Sequence, residues 1–368
     1  MYDVIVVGAR CAGSPLAMLL AKKGYNVLAV DRATFPSDTM STHLIVPDGV
    51  ARLMAWGLFD AVRATGCPYP IATTITIAGS AVSVADATAD VTSICPRRSV
   101  LDAILVDAAR AAGAEVREGF FFEGVLTEGG TVTGIRGRGH DGVTVEERAR
   151  IVVGADGRHS PVAKAVGATE YNAVPGHTCG YYSYYRGIEC SGTEAYIGDG
   201  QALFLFATND GLTCVGMERP VGEFAAFRAD IEGTLREGWA RVPGVLDRVL
   251  AGERVEKYSG TADLSGFYRK PYGPGWALAG DAGYYRDPVF GQGINDAFRD
   301  ADMLSEAIDA GFSGREPLAE ALAAFEQGRN AATNAIYQIT NLLCSTLNPP
   351  PELAMMIRAG MAAGAAKD

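Results

Sequence analysis

The chain has 368 residues, 48% of them hydrophobic and 20% charged, with a formal net charge of −11. That length can bury the core of two domains, and that composition excludes a disordered chain. The acidic balance, with no basic block to neutralise phosphates, excludes a nucleic-acid binder.

The chain opens on Tyr2-Asp3-Val4-Ile5-Val6-Val7, a near-continuous apolar run expected of a parallel strand covered on both faces. Gly8-Ala9-Arg10-Cys11-Ala12-Gly13 follows, then a predicted helix from about Ser14 to Lys23. Gly24-Tyr25 ends it, and the strand Asn26 to Val30 finishes in Asp31-Arg32. This order of strand, glycine turn, helix, strand and acid is that of a dinucleotide-binding fold. Gly8 permits the tight turn, Gly13 close helix–strand packing, and Asp31 is placed for adenosine ribose hydroxyls. Cys11, Ala12 and Arg32 flank these positions. Arg10 stands where the pattern wants a second glycine. Either its side chain points away, or its guanidinium contacts the phosphates or adenine; the second is favoured. No second copy of the motif occurs, so one dinucleotide is held permanently and a nicotinamide cofactor binds without its own Rossmann unit.

The loop Ser41-Thr42-His43-Leu44 follows the second strand. Further on, Pro96-Arg97-Arg98-Ser99-Val100-Leu101-Asp102 opens a helix, with Ser99 as the expected N-cap. The arginine pair is either solvated surface charge or, through Arg98, a contact to the cofactor's pyrophosphate. Between Glu115 and Val153 short strands alternate with glycine-rich turns, with separate strands expected over 143–147 and 149–153. The last runs into Gly154-Ala155-Asp156-Gly157-Arg158, a second strand-end carboxylate that would mean little alone.

Residues 73–96 and 171–268 are strand-rich and read as a second, antiparallel domain inserted into the first. Helices are expected there over about 221–235 and 239–250. In Gly180-Tyr181-Tyr182-Ser183-Tyr184-Tyr185-Arg186, Tyr182, Tyr184 and Arg186 share one face of a strand, and Tyr181, Ser183 and Tyr185 the other. Such a run reflects simple β-propensity or an aromatic pocket whose phenols donate hydrogen bonds or relay protons.

Trp276-Ala277-Leu278-Ala279 reads as a buried strand leading to Gly280-Asp281-Ala282, then Tyr284, Tyr285, Pro288 and Gly291-Gln292-Gly293-Ile294-Asn295. Asp281 at the strand end suits a ribityl or ribose hydroxyl. A helix opening near Ile294 turns free N–H groups toward the negative edge of a reduced flavin. The remainder is helical, interrupted by Pro349-Pro350-Pro351. The expected division is therefore α/β: a Rossmann-like FAD-binding domain with a parallel sheet (1–72, 97–170 and 269–310), an antiparallel substrate domain (73–96 and 171–268) and a C-terminal helical segment (311–368).

The seven cysteines are scattered, odd in number and never spaced C-x-x-C, which favours reduced thiols over disulfides or a zinc site, and no metal is expected. No apolar run reaches the roughly 18 residues of a spanning helix. A strand from residue 2 leaves no room for a signal peptide, so the expectation is a soluble cytoplasmic protein, monomeric or homodimeric.

Together, the Gly8–Asp31 unit, Arg98-x-x-Leu101-Asp102, Asp156-Gly157 and the Gly280–Asn295 segment resemble class A flavoprotein monooxygenases of the para-hydroxybenzoate hydroxylase type. They also resemble the related geranylgeranyl-reductase and flavin-halogenase branches. The resemblance implies that Gly8, Gly13 and Asp31 hold the ADP part of FAD, Arg98 its phosphates, and Asp156 both FAD and NAD(P)H. It places Asp281 in the family's G-D motif and sets Pro288 and Gly291 to Asn295 along the isoalloxazine. The tryptophan-halogenase signature W-x-W-x-I-P is absent, as is the Y-x-W-x-F-P segment of geranylgeranyl reductases, and both absences favour hydroxylation. The implied chemistry is reduction of FAD by NADPH or NADH, then transfer of an oxygen atom from O2, through a flavin C4a-hydroperoxide, to an aromatic or polyketide-like metabolite. His43, with a tyrosine among Tyr182, Tyr184 and Tyr285, is a candidate proton relay, and a structural role for His43 stands equally open. Two further readings remain: a flavin-dependent reductase of isoprenoid double bonds, and a flavoprotein that only binds a ligand.

Overall fold

The computed structural model describes residues 1–69, 71–85, 91–190 and 192–365. Residues 70, 86–90, 191 and 366–368, which fall in the expected domains, lie outside the described residues. The first strand, Tyr2–Val7, pairs in parallel with Val27–Val30 on one side and with Thr144–Gly154 on the other. Glu115–Arg117 and Trp276–Leu278 extend this parallel sheet at either side. The strands Tyr2–Val7 and Val27–Val30 carry no exposed side chains because helices Gly13–Lys22, Arg98–Ala111 and Gly293–Phe312 cover one face. An antiparallel meander, Phe121–Glu128 and Thr131–Arg138, leads into the other.

Thr144–Gly154 is one continuous strand, where two were expected. Its first half alternates between exposed and half-buried and pairs with the meander. Its second half, Ile151-Val152-Val153, is wholly buried and pairs with the first strand. The change of pattern marks a change of neighbours, not a break in the backbone.

The second sheet runs, in spatial order, Glu253–Arg254, Thr178–Arg186, Leu212–Pro220, Gln201–Ala207, Thr193–Gly198, Thr73–Ile77 and Ser80–Ala85. It is antiparallel except for the pairing of Thr193–Gly198 with Thr73–Ile77, which joins the two separated sequence pieces. Helices Phe224–Ala229, Ile231–Ala240 and Val245–Ala251 cover its outer face. These replace the two longer helices expected. Asp230 leaves helical geometry and accepts the Gly233 N–H at 2.8 Å, capping a new helix. Gly244, at φ +76°, delays the next start to Val245.

A small third sheet, Glu170–Val174, Gly266–Arg269 and Tyr284–Tyr285, lies under the 27-residue helix Leu318–Cys344. The fully buried Arg329 on that helix donates to the Gly283 carbonyl at 3.0 Å and to the Tyr171 hydroxyl at 2.9 Å. This long helix is thereby fastened to the turn that follows Asp281. Among the described residues no helix is long and apolar enough to cross a membrane.

Candidate functional site

The first turn is built on close backbone contact. Gly8 has φ +100°, and a Cβ there would stand 2.4 Å from the Ala155 carbonyl oxygen; a Cβ on Gly13 would stand 1.8 Å from the Gly8 oxygen. The turn therefore lies flat against the end of the strand that carries Asp156. Asp31, 8% exposed, accepts the Ala9 and Ala33 N–H groups, each at 2.8 Å. Each of its oxygens keeps a lone pair for a ribose hydroxyl. Arg32 is exposed beside it.

Arg10 does not stand alone. Its guanidinium pairs with Asp102 at 2.5 Å, donates to the Ser37 hydroxyl at 2.9 Å and lies over the Phe35 ring. Asp102 also accepts a forked pair from Arg98, both contacts at 3.0 Å, and the Cys11 thiol at 3.4 Å. Burial pushes the Cys11 thiol up, so it stays a neutral donor. Asp102 is fully buried and draws both arginines and the glycine turn into one network. Its role was not foreseen; the signal was the i,i+4 spacing in Arg98-x-x-Leu101-Asp102. The expected cap is corrected: the helix starts at Arg98 with Arg97 as N-cap and no side-chain capping bond, so Ser99 lies in the first turn. Arg97 is drawn instead to Asp38 and Glu256 and over the Tyr184 ring.

Asp156 is committed locally. It accepts the Ser160 hydroxyl and the Val162 N–H, holding the start of the short helix Pro161–Ala165.

Asp281 sits in a single 3-10 turn, Gly280–Ala282, after the strand. The turn is tied to the following helix by Asp300, whose carboxylate accepts the Gly280 N–H at 3.0 Å. Asp281 itself accepts no hydrogen bond from the described residues. Burial pushes its carboxyl up to about 6, while the Arg98 and Arg158 charges pull the other way. A buried carboxylate with arginine charges near and no donor of its own suits a ligand hydroxyl.

Pro288–Phe290 forms another 3-10 turn, Gly291 takes φ +63°, and the helix begins at Gly293, one residue before the expected Ile294. Gln292 supplies no side-chain cap. The N–H groups of Gly293, Ile294 and Asn295 precede the first helical bond, from Asp296 to Gln292 at 3.0 Å. Asn295 accepts the Val46 N–H at 3.2 Å, while its Nδ2 is buried with no acceptor.

His43 is fully buried at φ 58°, with Nε2 against the Tyr184 hydroxyl and Nδ1 unpartnered. Burial drives its pKa down to about 3, so the ring is neutral. Tyr182 accepts the Ser41 N–H at 3.3 Å, and burial raises its phenol to about 12. Tyr182 and Tyr184 face the loop that carries His43 and Leu44, whereas Tyr181 and Tyr185 pack under the outer helices, as the strand's alternation requires. Tyr285 lies beneath the Arg158 guanidinium, and Tyr284 turns into a cluster with Tyr268 and Tyr337.

A narrow cleft lies between the second sheet and the loops that carry Thr42 and Pro288. Thr42 and Leu44 line it on one side and Pro288 to Gly291 on another; the inserted sheet contributes Thr73, Ile75, Phe204, Phe206 and Glu218. The His43 ring and Tyr182, Tyr184 and Tyr285 are not among its walls.

These features fit FAD: a flat glycine turn with a strand-end acid for the adenosine end, a donor-free Asp281 midway, and an uncapped helix start beside an orphaned Asn295 amide. The sequence pattern of the FAD binding domain family matches residues 1–188, just over half of the chain. The chain belongs to the FAD-binding domain family. Among relatives, it is 30% identical over 309 residues to digeranylgeranylglycerophospholipid reductase 1 of Methanopyrus kandleri, covering 80% of this chain and 77% of that one. To the corresponding reductase 1 of Methanococcoides burtonii it is 28% identical, covering 88% and 75%. The fold is similar to that of the myxobacterial chondrochloren halogenase CndH (TM-score 0.86, 22% identity, 99% of this chain and 90% of that one). It is also similar to PqsL of Pseudomonas aeruginosa, a probable FAD-dependent monooxygenase (TM-score 0.81, 21% identity, 98% and 99%). This FAD-binding family member is an FAD-dependent oxidoreductase.

Proposed function

We propose that this oxidoreductase is a monooxygenase that uses NADPH or NADH and O2 to hydroxylate an aromatic or polyketide-like metabolite. The observation that carries this reading is the cleft, because its walls are shared by the Pro288–Gly291 turn and the aromatic inner face of the inserted sheet. A flat, apolar molecule seated against Phe204 and Phe206 lies next to the segment assigned to the isoalloxazine. FAD, when bound, supplies hydride acceptance and oxygen activation. The chain's own residues hold and shield it. Gly8, Gly13 and Asp31 take the adenosine end, with Arg10 and Arg98 braced by Asp102 near the phosphates. Asp281 takes a ribityl hydroxyl, and the N–H groups of Gly293 to Asn295 stabilise negative charge at the flavin edge. His43, neutral and hydrogen-bonded to Tyr184, positions the loop that carries Thr42 and Leu44 into the cleft.

The test is NAD(P)H oxidation by the holoprotein against a phenolic and polyketide panel, with and without 18O2. Substrate-stimulated oxidation with labelled oxygen in the product is expected. Peroxide alone, or a reduced double bond, across the whole panel overturns the proposal. The likeness to digeranylgeranylglycerophospholipid reductases supports a second reading, a reductase of isoprenoid double bonds. It predicts turnover without O2, which the same assay detects.

A further inference from the structure

The cleft contains two polar groups without partners. Thr73, 1% exposed, has an unpaired hydroxyl, and Glu218, 4% exposed, has an unpaired Oε2. Glu218 stands on the central strand Leu212–Pro220, between Gly180 and Ala202 on the neighbouring strands, in a cleft lined mostly by apolar side chains. A second buried acid, Asp287, just before the Pro288 turn, stands close enough for the two carboxyls to share a proton. Two carboxyl groups in contact need a proton between them.

The surroundings decide which acid keeps that proton. Asp287 already accepts the Thr178 hydroxyl, the Val289 N–H at 3.0 Å and the Cys344 thiol, all of which favour its anion. Glu218 receives no donor, and burial together with the Asp287 charge raises it well above the carboxylate range. Among the described residues neither acid has an ion-pair partner. Glu218 is therefore the neutral acid. Its proton is directed to Asp287, which leaves its second oxygen as an acceptor in an apolar cleft. The pair as a whole carries one negative charge, so it repels a ligand carboxylate and attracts an O–H or N–H.

We propose that Glu218, braced by Asp287, recognises a hydrogen-bond donor, a phenol O–H or aromatic N–H, on an otherwise apolar ligand in this cleft. The inference rests on the cleft being the substrate site, but not on the reaction performed there. An unpartnered buried acceptor strongly rejects a ligand that lacks the matching donor.

The experiment is equilibrium binding of 4-propylphenol and 4-propylanisole to the oxidised holoprotein, read by flavin absorbance and calorimetry without NAD(P)H. Wild type should hold the phenol about tenfold more tightly than the anisole. Glu218→Leu should bring the two within about twofold, and Glu218→Gln, which keeps an acceptor, should retain a preference. A second measurement on wild type alone avoids any folding defect: the infrared band of the protonated carboxyl should shift with the phenol and not with the anisole. Equal affinities in wild type, binding of neither probe, a preference unchanged in Glu218→Leu, or an unmoved band overturns the proposal. Because no turnover is involved, such a failure is separable from failure of the monooxygenase reading.

Discussion

Arg98 and Asp102 meet in a two-pronged ion pair across one helical turn, with both N–O contacts at 3.0 Å and the carboxylate fully buried. Arg10 reaches the same carboxylate from the glycine turn, so one acid fixes two cations from separate elements beside the candidate cofactor groove. Removing it leaves both arginines without their counter-charge in a largely dry setting. Asp102→Ala should therefore lose about 3 kcal/mol of stability in urea melts of the flavin-free protein. A loss below about 1 kcal/mol would place the network at the surface in energetic terms.

Asp281 has the opposite character, a buried acid with no hydrogen-bond donor among the described residues. Its folded pKa, about 6, lies above the ordinary 3.8, so folding favours the protonated form. The stability it contributes is complete below about pH 3.8 and is lost as pH rises through about 6. Asp281→Asn should remove that loss, making the flavin-free variant more stable than wild type by on the order of 1 kcal/mol at pH 8 and no more stable at pH 4. Asp281→Ala should also purify largely without flavin. Normal yellow colour at full occupancy would refute the assigned role.

His43 gives a second pH signature with the reverse sign. Its pKa falls from 6.5 to about 3 on folding, so the fold favours the neutral ring. That contribution is present above about pH 6.5 and drains away as pH falls toward 3. Urea melts of His43→Gln at pH 7 and pH 5 should show a smaller acid loss than wild type. Tyr184→Phe, which deprives Nε2 of its partner, should cost about 1 kcal/mol at pH 7 and leave the pH profile of kcat unchanged.

Gly8→Ala should fail on backbone grounds. A methyl group 2.4 Å from the Ala155 oxygen, at φ +100°, requires the turn to lift from the sheet. A loss of about 3 kcal/mol or insoluble expression is expected, with no flavin retained in either case. Soluble, yellow protein of normal stability would show that the turn has another conformation available.

Local sequence was enough where near neighbours set the backbone geometry. The Gly8–Gly13 turn, the strand-end Asp31 and the uncapped helix at Gly293 are short-range features, each dictated by residues a few positions apart. Helix limits in the inserted domain were less legible, because Asp230 as a cap and Gly244 as a left-handed start look like ordinary surface residues until the backbone is seen.

What the sequence by itself determined is the dinucleotide half, since a glycine turn after a buried strand has few other uses. The tertiary structure alone decided the company each charge keeps. Asp102 gathers Arg10 from a turn far away in the chain, Arg329 reaches back to Gly283, and Glu218 comes close to Asp287 from a distant segment. A residue's burial and protonation depend on neighbours supplied by distant segments, and spacing along a chain carries no measure of them.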